Sequence, residues 1–432
     1  MTPPFPPRHA GQIRAGALLA KASRSLLEVW GEEMFRNSGT VVELLGHRLM
    51  VFSEPQAILQ ILEGQAEVFD TKPAALRKCL APLMGEGLFV AEGATWRARR
   101  PATGGCAPLM ARIGAAISDW DRLWSGRPEG ETVELIGAME QCAAELLCRA
   151  LFGTAGDRRA ATGIARLAAA YRDRISGTGL ITMLALPEPM ARLHMRGDAA
   201  LIHAAVKPLV ERARGTPGSM VVQLAKAPGL SPAELQQEVI SLFAMGHDAL
   251  ATLLSTAWFL LAEAPHVEAA LHAELATTLG GRAPEAADLP SLPMTRALLM
   301  EALRLYPPVP LLIRVARRDT QVAGMPVAAG TLACIAPWVM HRHQAHWEAP
   351  DEFRPERFLP GAPPPAPFTY LPFGLGPRVC VGQDMTMQMA VLLLATLAQR
   401  FRLHALSGHR PRPSAGLTLR LAGALPMRLE RR

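Results

Sequence analysis

The run Phe373-Gly374-Leu375-Gly376-Pro377-Arg378-Val379-Cys380-Val381-Gly382 frames one cysteine with three glycines, a phenylalanine and an arginine. Glycines at 374 and 376 permit a tight loop that a Cβ atom would obstruct, so that amide hydrogens can turn toward the sulfur and moderate its charge. The apolar stretch Met385 to Leu397 reads as a helix starting just beyond Gly382, its positive end toward Cys380. Such surroundings suit a cysteine thiolate bound to haem iron. In that arrangement Phe373 shields the sulfur from water, Gly382 lets the helix begin close to a flat cofactor, and Arg378 offers a charged fork to a haem propionate. A glycine-rich turn leading to an ordinary core cysteine is the plainer alternative. Against it, six such matches in ten positions arise by chance in about one start in 10⁸.

The loop resembles the haem-thiolate signature of the cytochrome P450 superfamily, in its soluble bacterial form. The resemblance implies haem b (iron-protoporphyrin IX), with Cys380 as the protein ligand to the metal. It also implies a mainly α fold with a small β-rich portion, the haem lying between a long central helix and the helix after the cysteine loop. The activity implied is that of a monooxygenase, an oxidoreductase that takes one atom of O2 into an apolar organic substrate by hydroxylation or epoxidation. Electrons would come from a separate ferredoxin or flavodoxin-type partner and its NAD(P)H reductase. Secondary metabolism is the setting this suggests.

Composition agrees. At 432 residues the chain is long enough for two or three domains, yet no linker divides it, so a single domain over 1–432 is expected, with 1–11 a flexible proline-rich N-terminus. Half the residues are hydrophobic, enough for a large core. The six cysteines, at 79, 106, 142, 148, 334 and 380, form no C-x-x-C pair, which argues against a disulfide framework or zinc site and for a reducing cytoplasm. The polar start Met1-Thr-Pro-Pro-Phe-Pro-Pro-Arg-His predicts neither signal peptide nor membrane anchor. The longest apolar run, Leu250 to Leu261, falls short of the ~20 residues a span needs. A formal charge of +7 fits an anionic partner or simply a basic proteome, and nothing in the pattern calls for nucleic acid.

Along the chain, Gln12 to Phe35 has helical periodicity and Val41 to Phe52 reads as two strands around a glycine turn. Residues 109 to 275 are mostly amphipathic helix, and the last hundred alternate short strands with proline-rich loops. The apolar segment Ile175 to Met195, broken by Pro187 and Pro189, reads equally as a mobile lid or as a helix–helix loop.

The longest helix opens on Ser231-Pro232-Ala233-Glu234, a capping box with proline in the first turn. Its periodicity runs ~30 residues, or roughly 45 Å, enough to cross the whole domain. Inside it lies Ala244-Met245-Gly246-His247-Asp248-Ala249-Leu250. A mid-helix glycine costs about 1 kcal/mol, so Gly246 needs a reason: close approach of a cofactor or dioxygen, or close helix packing. The segment resembles the superfamily's oxygen-binding motif, with Asp248 as the acid that relays protons. The usual threonine is replaced by Ala249, and Thr252 lies a turn away. Met245, Ala249 and Leu250 are expected to face an apolar pocket.

Glu301 and Arg304, three apart on one helix face, can pair, and Pro307-Pro308 end their helix. With Arg357 of Pro355-Glu356-Arg357-Phe358 they match the three members of the superfamily's buried ion network. Trp96 and Arg100, four apart on a short helix from Gly93, resemble its propionate-binding pair, although Pro101 disturbs that helix. Arg314, in a strand after Pro307-Pro308, resembles a further propionate ligand.

Two other readings stand beside this one, the first suggested by Ala249. One is a haem-thiolate peroxygenase or isomerase that needs no reductase; the other is a non-catalytic haem sensor.

Overall fold

The computed structural model describes residues 1–11, 13–44, 46–103, 110–178, 188–227 and 229–432. Cys106 and the middle of the lid segment, 179–187, lie outside them.

The long helix is Pro232–Ala262, 31 residues. Its capping box forms as expected: Glu234 N donates to Ser231 Oγ at 3.3 Å and Ser231 N to Glu234 Oε2 at 3.0 Å. Nearly every residue from Leu250 to Leu261 is fully buried, because the helix runs through the core and packs on Leu135–Phe152, Pro293–Leu305 and Gln383–Ala398. Among the described residues it is the one helix long and apolar enough to cross a membrane, with 67% of its most apolar window buried within the protein. The sequence reading had found no such stretch. An all-round apolar helix of this kind serves equally as the axis of a large core.

The β portion is small and peripheral. Strands β1 (Gly39–Leu44) and β2 (His47–Phe52) form the expected hairpin. β2 then pairs in parallel with Leu332–Ile335, which pairs antiparallel with Leu312–Val315. A three-stranded sheet joins Thr132–Glu134, Pro426–Arg431 and Phe401–Ala405, and the hairpin Arg412–Ala415/Leu419–Ala422 folds back against the long helix.

Residues 1–11, expected to be flexible, are docked instead. Tyr306 donates its hydroxyl to Pro4 O at 2.8 Å, Phe353 N donates to Met1 O at 2.9 Å, and Arg8 pairs with Asp351 while lying 3.7 Å over the Phe35 ring. Proline lowers the entropy lost on docking, and Arg8 supplies the anchor.

Candidate active site

The cysteine loop adopts the conformation its glycines allow. Gly374 and Gly376 have φ of 76° and 71°, in the left-handed region. A Cβ at Gly376 would stand 2.2 Å from Leu62 O, so this glycine also lets two backbones touch. Cys380 N donates to Phe373 O at 2.9 Å, which closes the loop. The helix Gln383–Ala398 begins three residues beyond the cysteine, and the amides of Gly382 and Gln383 face the sulfur. Burial pushes the Cys380 thiol up, while those amides and Arg100 pull it down. Cys79, Cys142, Cys148 and Cys334 are buried; Cys380 is the exposed one among the described cysteines, and the space it faces is a cavity.

That cavity has a volume of about 750 Å³. Cys380, Phe373 and Gly382 line one wall, and Met245, Gly246 and Ala249 of the long helix line another. Leu250, expected beside them, is buried in helix packing and is not part of the lining. Gly246 does border the cavity, but a Cβ there would stand 3.3 Å from Leu147 Cδ1 of the neighbouring helix. Close helix packing is thus part of its reason.

Cations gather at one side. Trp96, Arg100, Arg314 and Arg378 all line the cavity. Pro101 ends the α-helix at Arg99, and Arg100 begins a 3-10 turn that still leaves its guanidinium on the cavity. Arg378 donates through Nε to Asp70 Oδ1 at 2.8 Å and stacks its guanidinium 4.5 Å from the Trp96 ring. Arg314 donates to Ile313 O at 3.0 Å, and burial beside Arg378 pushes it down to about 10. Lys72, which the sequence reading missed, is buried with no hydrogen-bond partner for Nζ among the described residues. Burial, with Arg378 and Arg314 nearby, pushes it down to about 7. Nothing in Thr71-Lys72-Pro73 would have flagged it.

Desolvated cations with an orphaned ammonium at one side, and a cysteine sulfur among amides at another, fit a group that carries carboxylates at its edge and a thiolate-binding metal. Haem b is such a group.

Asp248 does not line this cavity. It borders a second one of about 20 Å³, with Glu140, Arg172, Thr252, Ser255 and Thr418. Arg172 donates to Asp248 Oδ1 at 2.6 Å and His247 Nδ1 lies 3.4 Å from the same oxygen. Burial alone would raise the Asp248 carboxyl, but His247 and Arg172 outweigh it and hold the group below the usual carboxylate value. His247 Nε2 meets Glu140 O at 3.0 Å.

Away from the cavity, Glu301 and Arg304 are fully buried and doubly hydrogen-bonded, and Arg357 Nε reaches Glu301 Oε1 at 3.4 Å. The three residues come together as the sequence suggested.

The cytochrome P450 family profile matches residues 218–428. Cyclooctatin synthase of Streptomyces melanosporofaciens is 33% identical over 412 residues, covering 90% of this chain and 88% of that protein. Cyclooctat-9-en-7-ol 5-monooxygenase of the same organism is 29% identical, covering 85% and 89%. The crystal structure of the cytochrome P450DA haem domain superimposes with a TM-score of 0.80 at 21% identity, over 100% of this chain and 98% of that one. The chain belongs to the cytochrome P450 family. It is a haem-b oxidoreductase, a P450 monooxygenase.

Proposed function

We propose that this enzyme inserts one oxygen atom into a C–H or C=C bond of a cyclic terpenoid, with Cys380 as the residue that would ligate its haem. The observation that carries the reading is the single cavity that joins Cys380 to the apolar face Met245–Ala249 of the long helix. Its volume of about 750 Å³ includes the space the haem would fill, and its walls are mainly apolar, as suits an apolar substrate beside the cofactor. The terpenoid class comes from relatives: one is named for oxygenating an alcohol that also carries a double bond, and another is a pentalenene oxygenase.

When bound, the haem supplies O2 activation, and a thiolate ligand favours O–O cleavage. The chain's own residues do the rest. Gly382 and Gln383 amides steady the thiolate charge. Arg100, Arg314, Lys72 and the Asp70-held Arg378 would receive the carboxylates and orient the cofactor. Phe373 covers the sulfur side, and Met245, Leu147 and Leu242 exclude water from the substrate side. Asp248 moves protons from the surface side. A separate acidic electron carrier with its NAD(P)H reductase delivers electrons; the net charge of +7 supports such a partner.

The test is a panel of cyclic terpene hydrocarbons and alcohols added to the ferric protein. The reading requires at least one to displace the distal water spectrally and to yield an oxygenated product with a ferredoxin system and NAD(P)H. Product formed with peroxide alone, and none with the electron chain, would favour a peroxygenase.

A further inference from the structure

Ala249 brings a methyl group to the cavity wall, and the hydroxyls of Thr252 and Thr256 on the same helix are committed elsewhere. Thr252 Oγ1 donates to Leu419 O at 3.0 Å and Thr256 Oγ1 donates to Thr252 O at 2.8 Å. The hydroxyl that meets Asp248 comes from a distant part of the chain. Thr418, in the turn of the hairpin Arg412–Ala415/Leu419–Ala422, donates to Asp248 Oδ2 at 3.3 Å. It is 8% exposed and borders both the main cavity and the small one that holds Asp248.

The turn is fastened on three sides. Leu419 N donates to Pro308 O at 2.8 Å, Leu419 O accepts from Thr252, and Arg420 pairs with Asp173 at 2.8 Å. The small cavity of about 20 Å³ has room for one water, which needs roughly 10–15 Å³. Ser255 Oγ, 2% exposed and without a partner among the described residues, borders it. Glu140, with a side chain 35% exposed, carries the same cavity toward solvent.

We propose that Thr418 is the hydroxyl that passes protons from Asp248 into the haem cavity, in place of the threonine missing at 249. This rests on the reading of Asp248 as the proton-handling acid. With its hydrogen on Asp248, the Thr418 oxygen offers its lone pairs to a water in the main cavity. When Asp248 takes a proton from the small-cavity side, the hydrogen bond reverses and the Thr418 hydrogen points inward. Arg172 and His247 also face Asp248, and they hold it ionised between deliveries.

Protons matter here because two outcomes share one stoichiometry. O2, two electrons from NAD(P)H and two protons give either an oxygenated substrate plus water or hydrogen peroxide alone. Where the second proton lands decides between them. Thr418 is a positioning residue for that choice.

The test compares Thr418→Val, which keeps shape and loses the hydroxyl, with Thr418→Ser, which keeps it. Holoenzyme is run with a surrogate ferredoxin system and the terpenoid that gives the parent its largest substrate-type spectral shift. Thr418→Val should release about fivefold or more peroxide per NAD(P)H, and Thr418→Ser should stay near the parent. In the substrate-free protein, the infrared carboxylate band assigned by its loss in Asp248→Asn should shift in Thr418→Val alone. Parental peroxide in Thr418→Val, or an equal rise in Thr418→Ser, overturns the proposal. If no terpenoid binds the parent, the substrate reading fails by itself. The infrared comparison then decides: an unmoved band overturns the role of Thr418.

Discussion

Arg304 holds both carboxylate oxygens of Glu301, Nε on Oε2 at 2.7 Å and a terminal nitrogen on Oε1 at 2.8 Å, and neither side chain has exposed surface. Its remaining donors go to the carbonyls of His341, Pro350 and Glu352 at 2.6 to 2.8 Å. Glu301 also accepts from Arg354 N at 2.8 Å. One helix thus fastens the long loop that precedes the cysteine. The pair itself need add little net stability, but removal of one partner strands a buried charge.

Glu301→Gln should therefore destabilise the holoprotein by roughly 3–5 kcal/mol in denaturant unfolding and speed the loss of haem. A change within about 1 kcal/mol would mean that the network is not what holds the loop.

The neighbouring His341 predicts an acid limb in stability. Burial, and then Arg304, push its imidazole down to about 3. Leu371 N donates to Nε2 at 2.7 Å, so the hydrogen sits on Nδ1 and points at Arg304 O, 3.1 Å away. With the folded pKa below the unfolded one, the unfolded chain binds the extra proton between about pH 6.5 and 3, and stability falls as pH drops through that window. From about pH 6.5 to 5 this residue alone should cost roughly 1–2 kcal/mol. Denaturant titrations of the parent and His341→Gln at the two pH values check it: the loss should shrink in the variant.

Lys72 predicts proton uptake on haem binding. In the apoprotein its ammonium is pushed down to about 7 by burial and by Arg378 and Arg314, against the weaker pull of Glu92 and Asp70. A haem carboxylate beside it would restore the charge. Above about pH 7 the apoprotein must then take up a proton to bind haem, and affinity should weaken from about pH 7 to 9. Calorimetry in buffers of different ionisation heat should show the uptake in the parent and its loss in Lys72→Met. Equal uptake in both would assign the proton elsewhere.

The fold was largely legible because its signals are local: a capping box, a glycine loop, proline stops at Pro307 and Pro101, and a hairpin turn. The cysteine loop and the Glu301 triad were legible because their members sit in recognisable spacings. Lys72 and Thr418 were not. Each gains its meaning only from tertiary neighbours, Lys72 from two arginines over 240 residues away and Thr418 from an aspartate 170 residues earlier. Docking of residues 1–11 was missed for the same reason, since its partners Tyr306, Asp351 and Phe353 lie at the far end of the chain.

Position 249 links to Thr418. Ala249→Thr places a second hydroxyl on the cavity wall, so it should change the parent little and restore coupling in Thr418→Val. Product formed per NAD(P)H in the double variant is the measurement. A double variant as leaky as Thr418→Val would show that the two positions do not serve one path.

The central claim is that Cys380 holds the haem iron as a thiolate, and the spectrum of the reduced, carbon monoxide-bound protein tests it most directly. The parent should show the strongly red-shifted Soret band of thiolate ligation, and Cys380→His should lose it while still taking up haem. The same band in Cys380→His, or its absence from the freshly reduced parent, would contradict the account.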